Sequence, residues 1–192
     1  MKLSAFTLVE LLVVLGIVGV LFGTGLYGMS QFRSSMEADQ GTNQVLSILR
    51  AEQNKAKNNV VVESDLLSKI AITDYSNYVF GIRFHFDGIG GMFKSICWRA
   101  IGDLNWVLNA NCTASPQSVM VNGPGVTFST SVGGGTACED VVFENLSEKI
   151  IIVNPSGVAN CKVGIETPSY KSPNPYKYLN FYSVGYFDAT AP

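Results

Sequence analysis

No proline occurs before Pro116, no cysteine before Cys97, and the chain holds a single histidine, His85. Without proline, nothing obliges an N-terminal helix to stop or kink through a missing backbone donor, so any bend there must come from glycine. One histidine, with no serine, cysteine or carboxylate constellation near it in sequence, assembles no catalytic set and no histidine-rich metal site; His85 reads as a structural residue of an alternating strand. Charge is equally sparse: 15% of residues are charged, 13 basic against 15 acidic, for a net charge of -2. A basic stripe for nucleic acid is therefore not favoured. The Gly133–Gly135 run lacks the lysine and serine or threonine of a phosphate loop and reads as a hairpin tip. Asp87, with Gly88, Gly90 and Gly91, lacks the full oxygen set of a calcium loop and reads as a turn.

What the chain does hold is unevenly placed. Its 192 residues suit one globular domain plus a long appendage, and 47% of them are hydrophobic, for a mean hydropathy of +0.23. The excess lies at the N-terminus, where Leu11 to Met29 carry no charge. That is long enough to cross a bilayer as a helix. A secretory signal has a shorter apolar core of about 7 to 15 residues. A plain anchor accounts for the length but not for Glu10, because a carboxylate at the centre of a membrane helix costs about 2.5–3.5 kcal/mol on insertion scales and needs a partner or an edge position. Cationic bias barely chooses an orientation, with Lys2 on one side and Arg33 on the other.

The stretch Ala5-Phe6-Thr7-Leu8-Val9-Glu10-Leu11-Leu12 resembles the cleavage and methylation motif of type IV prepilins and type II secretion pseudopilins. The resemblance implies cutting between Ala5 and Phe6 by a prepilin peptidase on the cytoplasmic side, then N-methylation of Phe6 by the same enzyme. Ala5 departs from the usual glycine before the cut. Glu10 then becomes the fifth mature residue, placed to neutralise the new amine of another subunit; its presence argues against a tip subunit. A buried pair of this kind specifies register more than it adds stability.

Beyond Met29 the helical pattern continues. Val45, Leu46, Leu49 and Ala56 recur at helical spacing, with Arg50, Glu52, Lys55 and Lys57 mostly elsewhere around the helix. One helix from about Phe6 to Lys57 would be ~80 Å long. Gly19 and Gly23 form a spacing that permits close helix approach, though glycine is common in membrane helices generally. The expected organisation is a leader over 1–5, a long helix over 6–58 that crosses the membrane at about 8–29, and a β-rich head over 59–192.

In the head, candidate strands are Tyr78–Phe86, Met92–Arg99, Trp106–Ala110, Val119–Val121, Val126–Thr130, Val141–Glu144, Lys149–Val153 and Tyr178–Phe187, with a short helix over Ser64–Ile70. Turn residues separate them, as in Asn154-Pro155-Ser156-Gly157. The expected fold is α+β, a mainly antiparallel sheet packed on one helix, as in pilins. Cys97, Cys112, Cys138 and Cys161 form an even set without CxxC spacing, which reads as two disulfides rather than zinc. Of three connectivities the sequential one, Cys97–Cys112 and Cys138–Cys161, is favoured because each bridge would staple neighbouring strands; a loop of about 15 residues closed this way contributes roughly 3 kcal/mol.

The runs YVFGIRFHF, KIIIVNPSGVANC and YLNFYSVGYFD look like minor pseudopilins of the H type (the GspH/FimT group). The function expected from these resemblances is a structural filament subunit of a type IV pilus or type II secretion pseudopilus, not an enzyme, with no cofactor or metal. Its partners would be the peptidase/methyltransferase, other pilin or pseudopilin subunits, an inner-membrane assembly platform and the lipid bilayer. The subunit would sit in the cytoplasmic membrane with its head outside the cytoplasm, then in a filament on the cell surface or in the periplasm. The alternative is an adhesin or DNA-uptake receptor displayed on the filament. The aromatic C-terminus, with Tyr170, Tyr176, Tyr178, Tyr182 and Tyr186, would supply its binding face, but alternating strand positions more often face the core, and Lys171 and Lys177 are too few for a DNA groove.

Overall fold

The computed structural model describes residues 8–58, 77–87, 91–103, 111–112, 117–119, 121, 125–130, 136–153, 158–167 and 177–190. Ala5, Phe6 and the expected elements Ser64–Ile70 and Trp106–Ala110 lie outside them. The fold is α+β: one N-terminal helix followed by antiparallel sheets.

Helix α1 runs unbroken over Leu8–Lys57, 50 residues, or ~75 Å at 1.5 Å per residue. Glu10 in its first turn and Lys55 and Lys57 in its last complement the helix dipole. The two halves bury different amounts. Every described side chain from Leu8 to Gly25 is exposed, whereas Ala38, Thr42, Val45, Leu49 and Ala56 are buried. Their three- and four-residue spacing keeps them on one face, which lies on the sheets. The stripe also contains Glu52, against expectation. This carboxylate is buried and paired with Lys94 at 3.3 Å and Lys55 at 3.0 Å, which offsets the cost of desolvating it. Close approach is set at Gly41, where a Cβ would come within 2.4 Å of Val126 Cγ2.

The strands are β1 (Tyr78–Phe86), β2 (Met92–Ala100), β3 (Asn111–Cys112), β4 (Gln117–Ser118), β5 (Thr127–Ser129), β6 (Asp140–Glu144), β7 (Ile150–Val153), β8 (Asn160–Glu166), β9 (Lys177–Tyr182) and β10 (Tyr186–Thr190). A six-stranded sheet has the order β3-β2-β1-β6-β7, with β4 also paired to β2, and a four-stranded sheet has the order β10-β9-β8-β5. Alternation decides which side chains meet. In β1, Phe80, Ile82, Phe84 and Phe86 turn inward. There, Phe84 meets Phe143 edge-on at 5.6 Å, and Phe86 lies 5.9 Å from Phe181, which is 5.7 Å from Phe187. Aromatic pairs at such offsets contribute about 0.5–1.5 kcal/mol each beyond the area they bury.

Three strand expectations need correction. Tyr178–Phe187 is not one strand but β9 and β10 joined by a tight turn at Ser183–Gly185. Val119 and Val121 lie outside any strand, although the Val119 amide donates to the Met92 carbonyl at 2.8 Å. Strand β8 was not expected, because its asparagine, lysine and glycine mask the inward alternation of Cys161, Val163 and Ile165.

Gly185 holds a φ of +107°, and a Cβ there would fall 1.9 Å from the Glu148 carbonyl oxygen. Because the obstruction is backbone, it cannot swing aside. Gly185→Ala is therefore expected to cost about 2 kcal/mol or more. Thermal unfolding of the full chain in detergent checks this; an unchanged midpoint would show that the two turns need not touch.

Candidate functional site

The feature with functional weight is the half of α1 that the head leaves bare. Leu8–Gly25 is an 18-residue stretch long and apolar enough to cross a membrane, with 0% of it buried in the chain. At 1.5 Å per residue it spans ~27 Å, close to the ~30 Å hydrocarbon core of a bilayer. A core helix of a soluble protein would be covered by its own fold, and this one is not.

Two polar side chains interrupt the apolar surface. Thr24 donates back to the carbonyls of Val20 at 3.1 Å and Leu21 at 3.2 Å, so its hydroxyl needs no water. Glu10 stands exposed in the first turn, at the edge of the apolar stretch. Gly19 and Gly23 both face open space, with nothing within 4 Å of an added Cβ. Among the described residues, no contact requires glycine at either position.

All four cysteines are paired, Cys97 with Cys112 and Cys138 with Cys161. The first bridge joins directly opposed residues of β2 and β3. The second joins the segment that pairs alongside β8, through Ala137 and Lys162, to β8 itself. Cys138 precedes β6, and its amide donates to the Lys162 carbonyl on β8 at 2.9 Å.

A polar cluster on the outer face of the larger sheet was not anticipated. Asp140, buried, accepts from Arg83 Nε at 2.7 Å and Nη2 at 2.6 Å, and its Oδ1 lies 3.0 Å from His85 Nδ1. Arg83 Nη1 also reaches Cys112 Sγ at 3.6 Å. Across β1 from each other, Arg99 of β2 and Glu144 of β6 pair at 2.6 Å, and Arg99 also donates to the Asp103 carbonyl. The signal was present in the alternation of Arg83 and His85 along β1, but their acceptors lie 57 and 55 residues away. The arrangement ties β1 to β6 across the sheet.

Among the described residues no three histidine, cysteine or acidic side chains converge on a metal position. Asp87 accepts from the Gly91 amide at 2.7 Å; Gly88 and Gly90 lie outside the described residues. Of the tyrosines, Tyr178 is buried, while Tyr182 and the exposed Tyr186 stack at 4.2 Å. Tyr170, Tyr176, Lys171 and Gly133–Gly135 fall outside the described residues. Partial burial, then Asp188 and Tyr186, hold the Tyr182 phenol above its ordinary value. Lys177 is engaged with Asp39 of the helix at 2.5 Å, not set in an open basic groove.

No protein-family model matches the chain, and neither a curated protein nor a solved structure is significantly similar to it.

Proposed function

We propose that the chain is a prepilin-like structural subunit, anchored in the cytoplasmic membrane by α1 and assembled after leader cleavage into a filament of the type IV pilus or type II secretion pseudopilus kind, as a minor pseudopilin. The observation that carries this reading is the bare half-helix Leu8–Gly25, continuous with a helix whose other half is built into a disulfide-stapled head. A subunit that must leave lipid and pack among its own kind needs an apolar rod on a folded head, and the chain has both.

Glu10 supplies the chemistry of docking. Cleavage between Ala5 and Phe6 would expose an ammonium four residues before Glu10 in the chain. Between subunits, one carboxylate can hold the amine of the next while water is excluded. The head, ordered by two disulfides, suits an oxidising compartment outside the cytoplasm.

Mass spectrometry of the membrane-extracted chain tests the reading. The expected species lacks Met1–Ala5 and carries one methyl group on Phe6. A membrane form that retains Met1–Ala5 in cells with an active prepilin peptidase would remove the basis for it.

A further inference from the structure

The four cysteines meet solvent unequally. Cys97 and Cys138 are 0% exposed and Cys161 2%, whereas Cys112 is only half-buried. Cys112 belongs to β3, two residues paired to β2 at the edge of the larger sheet. A thiolate arriving from water therefore reaches this cysteine before the other three, and thiol–disulfide exchange follows access.

Each sulfur of the Cys97–Cys112 bridge also has a hydrogen-bond donor beside it. Arg83 Nη1 lies 3.6 Å from Cys112 Sγ. Asp140 takes Nε and Nη2 of the same guanidinium, which fixes its plane and leaves Nη1 directed at the sulfur. Ser95, opposite Arg83 in the β1–β2 register, places its hydroxyl 3.7 Å from Cys97 Sγ. A disulfide sulfur carries no proton, so the hydroxyl is the donor. A closed disulfide gains little from either group, because its sulfur is a weak acceptor. A thiolate gains much more, since hydrogen bonds to an ion are about twice as strong as neutral ones. Both donors thus favour the opened bridge over the closed one. Cys97 packs with Val142 out of water, where a bare thiolate would be a poor leaving group; Ser95 relieves that. Cys138 and Cys161 lie instead within the main apolar core cluster.

We infer that Cys97–Cys112 is a thiol–disulfide exchange site for a small-molecule thiol, attacked at Cys112 Sγ. The incoming thiolate forms a new S–S bond to Cys112 as the Cys97–Cys112 bond breaks. Cys97 leaves as a thiolate beside Ser95 and takes a proton from water. A monothiol thus gives a mixed disulfide on Cys112 and a free thiol at Cys97. A second thiolate then attacks the sulfur of the bound thiol and releases Cys112 as a thiolate beside Arg83. Two thiols have become one disulfide, and the bridge has been reduced by two electrons. A half-buried sulfur suits a small thiol better than the surface of a protein dithiol. Because β2 is also held by β1 and β4, only β3 loses its tie, and reoxidation restores it. This chemistry is independent of the filament reading.

The test incubates the full-length chain in detergent, at fixed pH, with excess reduced glutathione, and in parallel with a protein dithiol of the CxxC kind. Samples are quenched, alkylated and mapped by peptide mass spectrometry. Glutathione is expected on Cys112 with alkylated Cys97, about a hundredfold sooner than any opening of Cys138–Cys161. Ser95→Ala should slow formation of this adduct about tenfold, and Arg83→Gln should slow its conversion to the free dithiol about tenfold, the scale of one charge-assisted hydrogen bond. A merely structural role for either side chain predicts the opposite sign, because a loosened β3 uncovers the sulfurs. Should Arg83→Gln fail to fold, Ser95→Ala, which leaves the Arg83–Asp140 pair intact, decides alone. Glutathione carried mainly on Cys97, Cys138–Cys161 opening at a matching rate, a bridge opened by the protein dithiol alone, or variants that react as fast as wild type or faster would each overturn the inference.

Discussion

Glu10→Ala should leave the chain folded and in the membrane but lower its recovery in filaments about a hundredfold or more. The magnitude follows from stranding a charge. Removing one partner of a buried ion pair costs about 3–5 kcal/mol, because the other partner remains desolvated and unmatched; at about 1.4 kcal/mol per decade this is roughly two to three and a half powers of ten. Glu10 also occupies the first turn of α1, where an acid next to the dipole contributes about 0.3–1 kcal/mol. That smaller role predicts a different outcome, a helix slightly more frayed at its start with filament yield almost unaffected. Sheared filaments should therefore be quantified in cells holding no wild-type copy, next to the thermal midpoint of the same variant in detergent. Equal filament yields for Glu10→Ala and wild type would reduce Glu10 to a helix-end residue.

The second large effect concerns the bridge between Cys138 and Cys161. Replacing both Cys138 and Cys161 by serine should lower the thermal midpoint by about 10 °C, and by more than the same change at Cys97 and Cys112. Loop lengths alone do not distinguish the two, since separations of 23 and 15 residues each correspond to about 3 kcal/mol in the chain-entropy model. Position does. Cys138 and Cys161 are 0 and 2% exposed, so the double variant leaves two hydroxyls in an apolar core. It also releases the segment that crosses from the β8 edge into β6. Cys112 is half-buried, and β2 and β3 keep their register pairing without the bond. A midpoint loss at Cys138 and Cys161 no greater than at Cys97 and Cys112 would contradict this ranking.

Residues with local physical causes were legible from the chain. The buried stripe Val45, Leu46, Leu49 and Ala56 repeats at the helical period, and strand β1 alternates so cleanly that its bounds, Tyr78–Phe86, could be read directly. The favoured pairing of cysteines also follows from nearness in sequence, because adjacent strands place nearby residues opposite one another. What escaped was non-local. Glu52 looked like a solvent residue until Lys94, 42 positions away, came within 3.3 Å. Strand β8 is interrupted by polar residues and a glycine, and exists because β9 and β5 supply partners on both sides. The break between β9 and β10 depends on a left-handed Gly185 pressed against another turn, and no periodicity records that.

Taken alone, the chain determined that an uncharged N-terminal stretch would form a helix able to cross a bilayer, that a carboxylate would sit at its edge, and that a β-rich region with paired cysteines would follow. These depend on composition and on periods of two and 3.6, which are properties of short segments. Only the tertiary structure decided that the segment holding Cys138 pairs with β8 before the chain enters β6 of the other sheet, and that Asp140 gathers Arg83 and His85. Each of those depends on which distant segments share an edge or a turn, and hydrogen-bond pairing and packing choose that only when the whole chain is closed.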